Sequence, residues 1–306
     1  MLVAGAGDAV MTPSAIAPVL AAVVPVLVTI AIGFFWVRSG RSLENKSLTP
    51  LVVSIGTPCL ILATFIRTEI SPASFATMAL ATVVAILAFA VVAFVVLQVL
   101  GLRVRTYLPS LTFPNNGNLG LPLAAYAFGS EGLGYAIVFY AICMVGQFTV
   151  GEAVAAGRSN WSAVLQLPLI YATALGAAVS FLGAAPPAWI TNTITLIGGM
   201  TIPLMLLMLG ASLARIRVRS LGRAAMLSAV RIVPGAAVGY GVAVLLGLHD
   251  AAKAVLIMQC AMPVAVYNYL FAQKWNNEPE EVAGLVVTST LASIVSVPAL
   301  LWFLSP

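Results

Sequence analysis

The chain has little charge and few of the side chains that carry out catalysis or bind metals. Of its 306 residues, 8% are charged and 61% are hydrophobic, whereas soluble domains carry roughly 25% charged residues. It has one histidine, His249, and no histidine, cysteine and carboxylate cluster with metal-ligand spacing. No glycine-rich stretch continues into Gly-Lys-Ser or Gly-Lys-Thr, which excludes a Walker-type nucleotide loop. We therefore predict neither an enzyme nor an ATP-driven pump, and no cofactor or metal.

Cysteines and aspartates are also scarce. Cys59, Cys143 and Cys260 all lie inside apolar segments, where a free cysteine serves as a small hydrophobic residue rather than as part of a disulfide framework. Asp8 and Asp250 are peripheral, so antiport through a buried aspartate pair is unsupported. Residues 1–13 contain no lysine or arginine and thus lack the basic region of a signal peptide. We read the first apolar segment as a retained helix.

What the sequence does contain is a series of apolar stretches of about 20 residues, each long enough for one membrane crossing. We predict an all-α integral membrane protein with ten transmembrane segments. They cover residues 14–37, 47–66, 72–101, 106–128, 131–156, 161–183, 188–213, 221–247, 250–273 and 280–304. No remaining stretch is long enough for a soluble domain.

The basic residues are distributed unequally between the two sides of these segments. The connections after the odd-numbered segments hold eleven, namely Arg38, Arg41, Lys46, Arg103, Arg105, Arg158, Arg215, Arg217, Arg219, Arg223 and Lys274. The opposite side holds two, Arg67 and Lys253. By the positive-inside rule the odd connections are cytoplasmic and both termini lie outside, in the periplasm of a bacterial inner membrane. This topology accounts for most of the net charge of +5, so no nucleic-acid partner is implied.

The second half of the chain resembles a diverged copy of the first. The Thr57-Pro58 and Ile202-Pro203 motifs are 145 residues apart, whereas Pro114 and Pro263 are separated by 149, as are Glu131 and Glu280. Residues 1–156 and 157–306 therefore form two five-segment repeats. Because five is odd, the second repeat enters the membrane from the opposite side, which is an inverted-topology repeat.

Two prolines interrupt equivalent segments of these halves, Pro114 in segment 4 and Pro263 in segment 9. A proline inside a helix removes a backbone donor and clashes with the preceding turn. In a membrane the freed backbone groups are tolerated only inside protein or beside a wet cavity. A matched pair of interrupted segments indicates a transporter binding site near the middle of the bilayer.

Amide side chains cluster beside these prolines. Asn115, Asn116 and Asn118 bring donors and acceptors to membrane depth without a charge, and Gly117 permits unusual backbone conformations. A helix that restarts near Leu121 would direct free N–H groups toward a carboxylate. From the facing segment, Asn268 would add an amide and Tyr267 a phenol. These are the predicted substrate-binding residues. The alternative is that the groups only satisfy each other where two broken helices cross.

Arg231 is a further candidate substrate-binding residue. It lies about ten residues into segment 8, roughly 15 Å along a helix. An arginine at a helix centre costs about 2.5–3.5 kcal/mol on insertion scales, so a partner or a water-filled cavity is expected. Three possibilities remain open at this point: a substrate carboxylate, an ion pair with Glu152, or a side chain that extends to the cytoplasmic surface.

The two interrupted motifs also resemble those of a known family. The motif Phe113-Pro114-Asn115-Asn116-Gly117-Asn118-Leu119-Gly120-Leu121-Pro122-Leu123 resembles the broken fourth helix of the auxin efflux carriers. The motif Met262-Pro263-Val264-Ala265-Val266-Tyr267-Asn268-Tyr269-Leu270-Phe271-Ala272 is similar to their ninth helix. The resemblance implies ten helices in a 5+5 inverted repeat related to bile-acid symporters, with broken helices 4 and 9 crossing.

The resemblance also implies how such a protein works. Segments 1, 2, 6 and 7 would form a scaffold, and segments 3–5 and 8–10 would move as a transport unit. Pro114 and Pro263 would be the crossover prolines, and Asn115 would contact the substrate. Val264 and Asn268 depart from the plant pattern, and only residues 157–160 replace the long cytoplasmic loop of many plant members.

The resulting expectation is a secondary active or facilitative transporter in a bacterial inner membrane. It would carry a small organic anion, such as malonate, malate or an auxin-like acid, by elevator-type alternating access. A proton or sodium ion is a candidate coupling ion, and the family implies a homodimer. The alternative is a sodium-coupled symporter of larger, bile-acid-like anions.

Overall fold

A computed structural model describes residues 13–68, 71–157, 165–216 and 221–304, and the regular structure in these ranges is helical. The helices are α1 (Pro13–Arg38), α2 (Asn45–Leu51), α3 (Thr57–Arg67), α4 (Pro72–Val99), α5 (Val104–Thr112), α6 (Leu121–Gly146), α7 (Glu152–Ala156), α8 (Pro168–Phe181), α9 (Ala188–Gly199), α10 (Thr201–Arg215), α11 (Leu221–Leu245), α12 (Asp250–Cys260), α13 (Val266–Lys274) and α14 (Pro279–Leu304). Three π-helical turns connect some of these helices. Val52–Gly56 joins α2 to α3, Asn116–Gly120 leads into α6, and Gln147–Gly151 joins α6 to α7.

Seven helical stretches within the described ranges are long and apolar enough to cross a membrane. They comprise residues 19–38, 47–67, 72–99, 116–156, 188–215, 221–245 and 279–304. The sequence predicted ten segments. Two of the remaining predicted segments, 4 and 9, are broken into shorter helices, and α8 is described from Pro168 onward. Predicted segments 4 and 5 meet within the 41-residue stretch 116–156.

Local sequence signals explain several helix ends. Ser71 accepts a hydrogen bond from the amide of Ser74 at 3.1 Å, as expected of a cap before a first-turn proline. At the start of α14, Pro279 is followed by Glu280 and Glu281, whose charges suit the positive end of the helix dipole. Within α6, Gly129 has φ 64° and ψ −155°, so the helix changes direction there. This is the boundary that the sequence predicted between segments 4 and 5.

The helices pack in two groups. In the first, α1 packs along α10, and α3 packs against α8 and α9. In the second, α4 packs against α5 and α6, while α11 packs against α12 and α14. The most apolar part of stretch 116–156 is 72% buried, against 33–44% in the other six long stretches. The helix α6 is therefore central, and contacts both groups.

Part of the charge pattern lies outside the described residues. Arg158, Arg217 and Arg219 belong to residues 158–164 and 217–220, which the structure does not describe, and the same holds for residues 1–12. At the predicted cytoplasmic end, Arg103 pairs with Glu278 at 2.9 Å, and Lys274 pairs with Glu152 at 2.6 Å. These pairs join α14 to the start of α5 and α13 to α7.

Candidate functional site

The first break in the helices lies between α5 and the π-helical turn Asn116–Gly120. Pro109 in α5 already interrupts the hydrogen-bond ladder, and α5 ends at Thr112. Phe113 is extended, with φ −103° and ψ 108°. Asn115 has φ −80° and ψ 55°, and its carbonyl accepts from the amides of Leu119 and Gly120. The chain therefore unwinds for only three residues, 113–115, before a helix restarts.

The second break lies between α12 and α13, at residues 261–265, and it meets the first. Pro114 and Val264 form an isolated antiparallel bridge. The amide of Asn115 donates to the carbonyl of Pro263 at 2.7 Å. The predicted crossing of two broken helices at Pro114 and Pro263 is therefore present in the structure.

A cavity of about 260 Å³ lies beside this crossing. One wall comes from α2, the turn Val52–Gly56 and α10. The other comes from the turn Asn116–Gly120, α6 and α13. Its polar lining consists of Thr49, Asn118, Tyr140, Ser212, Arg215, Tyr267 and Tyr269. The cavity thus lies between α2 and α10 on one side and α6 and α13 on the other.

Helix N-termini and one arginine place positive charge beside the cavity. Two helices begin at its edge, the turn that starts at Asn116 and the helix α13 that starts at Val266. Helix N-termini carry partial positive charge and unpaired N–H groups. Arg215 is the one ionisable side chain other than tyrosines among the described residues that line the cavity. A solute with a carboxylate matches this potential.

Two predicted site residues line the cavity, and two neighbours do not. Asn118 is half-buried, and Tyr267 lines the same wall of the cavity. Asn115 and Asn116 are 3% and 2% exposed and do not line the cavity. Gly117 lies against the ring of Tyr140, where a Cβ would be 2.8 Å from Cε2. The unwinding thus presents the third asparagine of the motif, rather than the first, to the cavity.

Asn268 has two protein partners. Its amide donates to the carbonyl of Phe113 at 3.0 Å, and its side-chain oxygen accepts from Gln147 at 3.2 Å. The residue is 2% exposed. In this conformation Asn268 links α13 to Phe113, the residue before Pro114. This arrangement matches the alternative stated above, in which the polar groups at the crossing bond only to each other.

Arg231 is buried at 1% exposure within α11. Its Nη1 donates to the carbonyl of Cys260 at 2.9 Å, and its guanidinium carbon lies 4.6 Å from the ring centre of Phe89. Glu152 pairs with Lys274 instead. The arginine therefore neither extends to the surface nor pairs with Glu152. It places a positive charge at the C-terminal end of α12, where the helix dipole favours one.

Several buried polar atoms near the crossing have no hydrogen-bond partner among the described residues. They are Nδ2 of Asn115, Nδ2 of Asn116, Nε of Arg231, and both Nε2 and Oε1 of Gln259. The side chain of Gln259 lies directly against Gly120, where any Cβ would collide with the amide. Unpaired buried polar groups are uncommon and costly. The crossing is therefore a site with unused hydrogen-bonding capacity.

Five of the seven polar residues that line the cavity were not predicted as site residues, and Arg215 and Tyr140 show why. Arg215 was counted only as one of several basic residues at a helix end, yet it lines the cavity and donates to the carbonyl of Leu43 at 2.7 Å. Tyr140 is one of several aromatic residues in a long apolar segment. Neither position carries a local signal, because only the packing of distant helices brings each to the cavity.

Comparisons with known proteins identify a family that matches most of the chain. The model of a family described as "Membrane transport protein" matches residues 18–160 and 152–301. A curated protein of Methanothermobacter thermautotrophicus, named "Uncharacterized transporter", is 25% identical over 302 residues. The alignment covers 92% of this chain and 96% of that protein.

Proposed function

Since this chain belongs to the membrane transport protein family, the auxin efflux carriers that its motifs resemble, we propose that it carries a small organic anion across a bacterial inner membrane. The observation that supports this most directly is the cavity beside the crossing. Two helix N-termini, the Asn118 amide and Arg215 face a space of about 260 Å³. A small carboxylate such as malonate, malate or an auxin-like acid fits both the charge and the volume.

The proposed binding residues follow from their positions. Asn118 donates or accepts a hydrogen bond through its amide, and the Tyr267 phenol adds a second polar contact. Arg215 attracts the anion at the end predicted to be cytoplasmic. Asn115 and Asn116 contribute after the transport unit moves, when their unpaired Nδ2 atoms turn toward the solute. Arg231 acts on the site through the end of α12 rather than by direct contact.

The proposed architecture has ten crossings in two inverted halves, residues 1–156 and 157–306. In this architecture, stretch 116–156 contributes to two crossings because the chain turns at Gly129. The scaffold is formed by α1–α3 and α8–α10, which pack together on one side of the cavity. The transport unit is formed by α4–α7 and α11–α14. Movement of this unit along the scaffold gives elevator-type alternating access. By the charge distribution both termini are periplasmic, and two copies associate as a homodimer.

Uniport or proton-linked movement is proposed over sodium coupling. No carboxylate is found among the described residues that line the cavity, and carboxylate and carbonyl oxygens are the usual ligands of a hard cation. In proteoliposomes, an imposed sodium gradient should leave the initial uptake rate unchanged. Acceleration by sodium would instead favour a cation-coupled symporter of larger amphipathic anions.

The central experiment is a transport assay with purified protein in proteoliposomes. Radiolabelled mono- and dicarboxylates are screened by counterflow, and the best substrate is then tested with two variants. Asn118→Ala should reduce uptake about ten-fold or more, because a hydrogen bond to a charged group contributes about 1.5–3 kcal/mol. Asn192→Ala, an exposed asparagine of α9, is the matched control and should transport normally. Normal uptake by Asn118→Ala would overturn the assignment of the site.

A further inference from the structure

A second, apolar groove lies beside the first break and shares no lining residue with the cavity. It is bordered by α4, by α5 with Phe113, and by the run from α6 to α7. Its volume is about 260 Å³, and its walls are formed by Leu87, Leu108, Ile142, Val150 and Val154, among others. Leu87 and Val150 are 61% and 57% exposed. In a membrane protein this groove opens toward lipid.

Small residues create the groove, and the broken stretch forms its floor. Ala90, Gly146 and Gly151 line it and leave space where larger side chains would stand. A Cβ on Gly151 would lie 2.8 Å from Cε2 of Phe113, and one on Gly146 would lie 3.0 Å from Cε1. The ring of Phe113 is therefore pressed against the backbone of the α6–α7 run. Whatever fills the groove contacts the residue that immediately precedes Pro114.

Arg105 stands at one end of the groove. It lies one helical turn before Leu108 in α5, and its guanidinium lies against Gly157, one turn after Val154. Its side chain is exposed and makes no hydrogen bond or ion pair with any residue that the structure describes. By contrast, Arg103 pairs with Glu278, and Arg223 pairs with Glu281 at 3.5 Å. Arg105 thus offers a positive charge at the predicted cytoplasmic surface.

We propose that this groove binds one anionic phospholipid of the inner leaflet, with an acyl chain in the groove and the phosphate at Arg105. From Val154 to Ile142 the groove extends about 18 Å along the helices, comparable with the roughly 15 Å of hydrocarbon in one leaflet. The charge of Arg105 matches that of one phosphate. The acyl chain packs on Phe113 and supports the broken stretch.

The experiment is native mass spectrometry of the full chain after equilibration with equal amounts of phosphatidylglycerol and phosphatidylcholine that carry the same acyl chains. The wild type should retain phosphatidylglycerol preferentially. Arg105→Gln should lower that preference about five-fold, the effect of one basic residue near an anionic lipid surface. Arg103→Gln is the matched control, since it removes an equal charge two residues away, and it should keep most of the preference.

A second variant tests the groove itself. Val150→Trp places a large ring in the opening and should reduce retention of both lipids, with monodispersity checked by size exclusion. If that variant fails to fold, Leu87→Trp on the opposite wall replaces it. Three results would overturn the proposal: no preference in the wild type, equal losses in Arg105→Gln and Arg103→Gln, or unchanged retention when the groove is filled. None of these results depends on transport activity.

Discussion

The two broken stretches that cross at Pro114 and Pro263 differ in where their polar groups find partners. In the second stretch, residues 261–265, the side chains are apolar, and main-chain groups bond to other parts of the chain. The amide of Val264 donates to Ser289 at 3.0 Å, and the carbonyl of Pro263 accepts from the amide of Asn115. Arg231 binds the carbonyl at the end of α12.

The first stretch leads into side chains whose hydrogen-bonding capacity is only partly used. Asn115 and Asn116 each retain a buried Nδ2 without a protein partner, and Asn118 faces the cavity. The comparison indicates that the two stretches, which the proposed repeat relates to each other, have different roles. The second stretch is held by Ser289 and Arg231 of its own half and by the amide of Asn115, and we propose that the first supplies groups for a ligand. Substitutions around the second stretch should therefore affect stability more than those in the first.

The largest effect is expected for Arg231→Ala. The substitution leaves a cavity beside Phe89 and removes the donor to the Cys260 carbonyl. Together these losses should lower the free energy of unfolding by about 3–5 kcal/mol. Thermal unfolding in detergent measures the change. Arg231→Met, which keeps much of the volume without the charge, should lose about 1–2 kcal/mol. Wild-type stability in the alanine variant would contradict the supporting role.

A smaller loss is expected for Asn268→Ala, which removes a link between the two stretches. Asn268 is bonded to Phe113 and to Gln147, and two buried hydrogen bonds should be worth about 2–3 kcal/mol. The same thermal assay applies, with the exposed Asn192→Ala as control. A variant that unfolds at the wild-type temperature but fails to bind substrate would assign Asn268 to the ligand instead.

Ser289→Ala should cost about 1–2 kcal/mol, since it leaves the buried Val264 amide without an acceptor. Ser293→Ala is the matched control. Ser293 is buried in the same helix, but its hydroxyl donates to the carbonyl of Thr290 one turn away. Its loss leaves no donor unpaired and should be nearly neutral. Equal losses in both variants would show that Ser289 has no special role at the second stretch.

The sequence predicted the breaks themselves well, because proline acts through local backbone chemistry. Pro114 and Pro263 lie at the ends of interrupted helices, and the long apolar stretches, the cap at Ser71 and the first-turn proline Pro279 follow similar local rules. The direction in which each asparagine points could not be predicted in the same way. It depends on how tightly the chain rewinds after Asn115, and the π-helical turn Asn116–Gly120 rotates the side chains relative to a regular helix.

Tertiary packing decided the remaining details. The sequence left three possibilities open for Arg231, and its bond to the Cys260 carbonyl was not among them. Main-chain acceptors are present at every residue, so a pattern of side chains does not indicate which one an arginine will reach. Arg215 lines the cavity only because α10 packs beside the central helices. Such contacts depend on residues distant in the sequence.

The smallest effect on stability is expected for Asn116→Ala, in the π-helical turn that follows the first stretch. The Nδ2 atom of Asn116 is buried without a protein partner, so deletion of the amide removes an unpaired donor, and the cost should be at most about 1 kcal/mol. Uptake should nevertheless fall about ten-fold, because the proposed mechanism turns this amide toward the solute after the transport unit moves. Paired thermal-unfolding and proteoliposome assays separate the two effects.

A stable variant with normal uptake would place Asn116 outside the binding site. A strongly destabilised variant would remove the contrast between the two stretches, because the first would then also depend on its side chains for support.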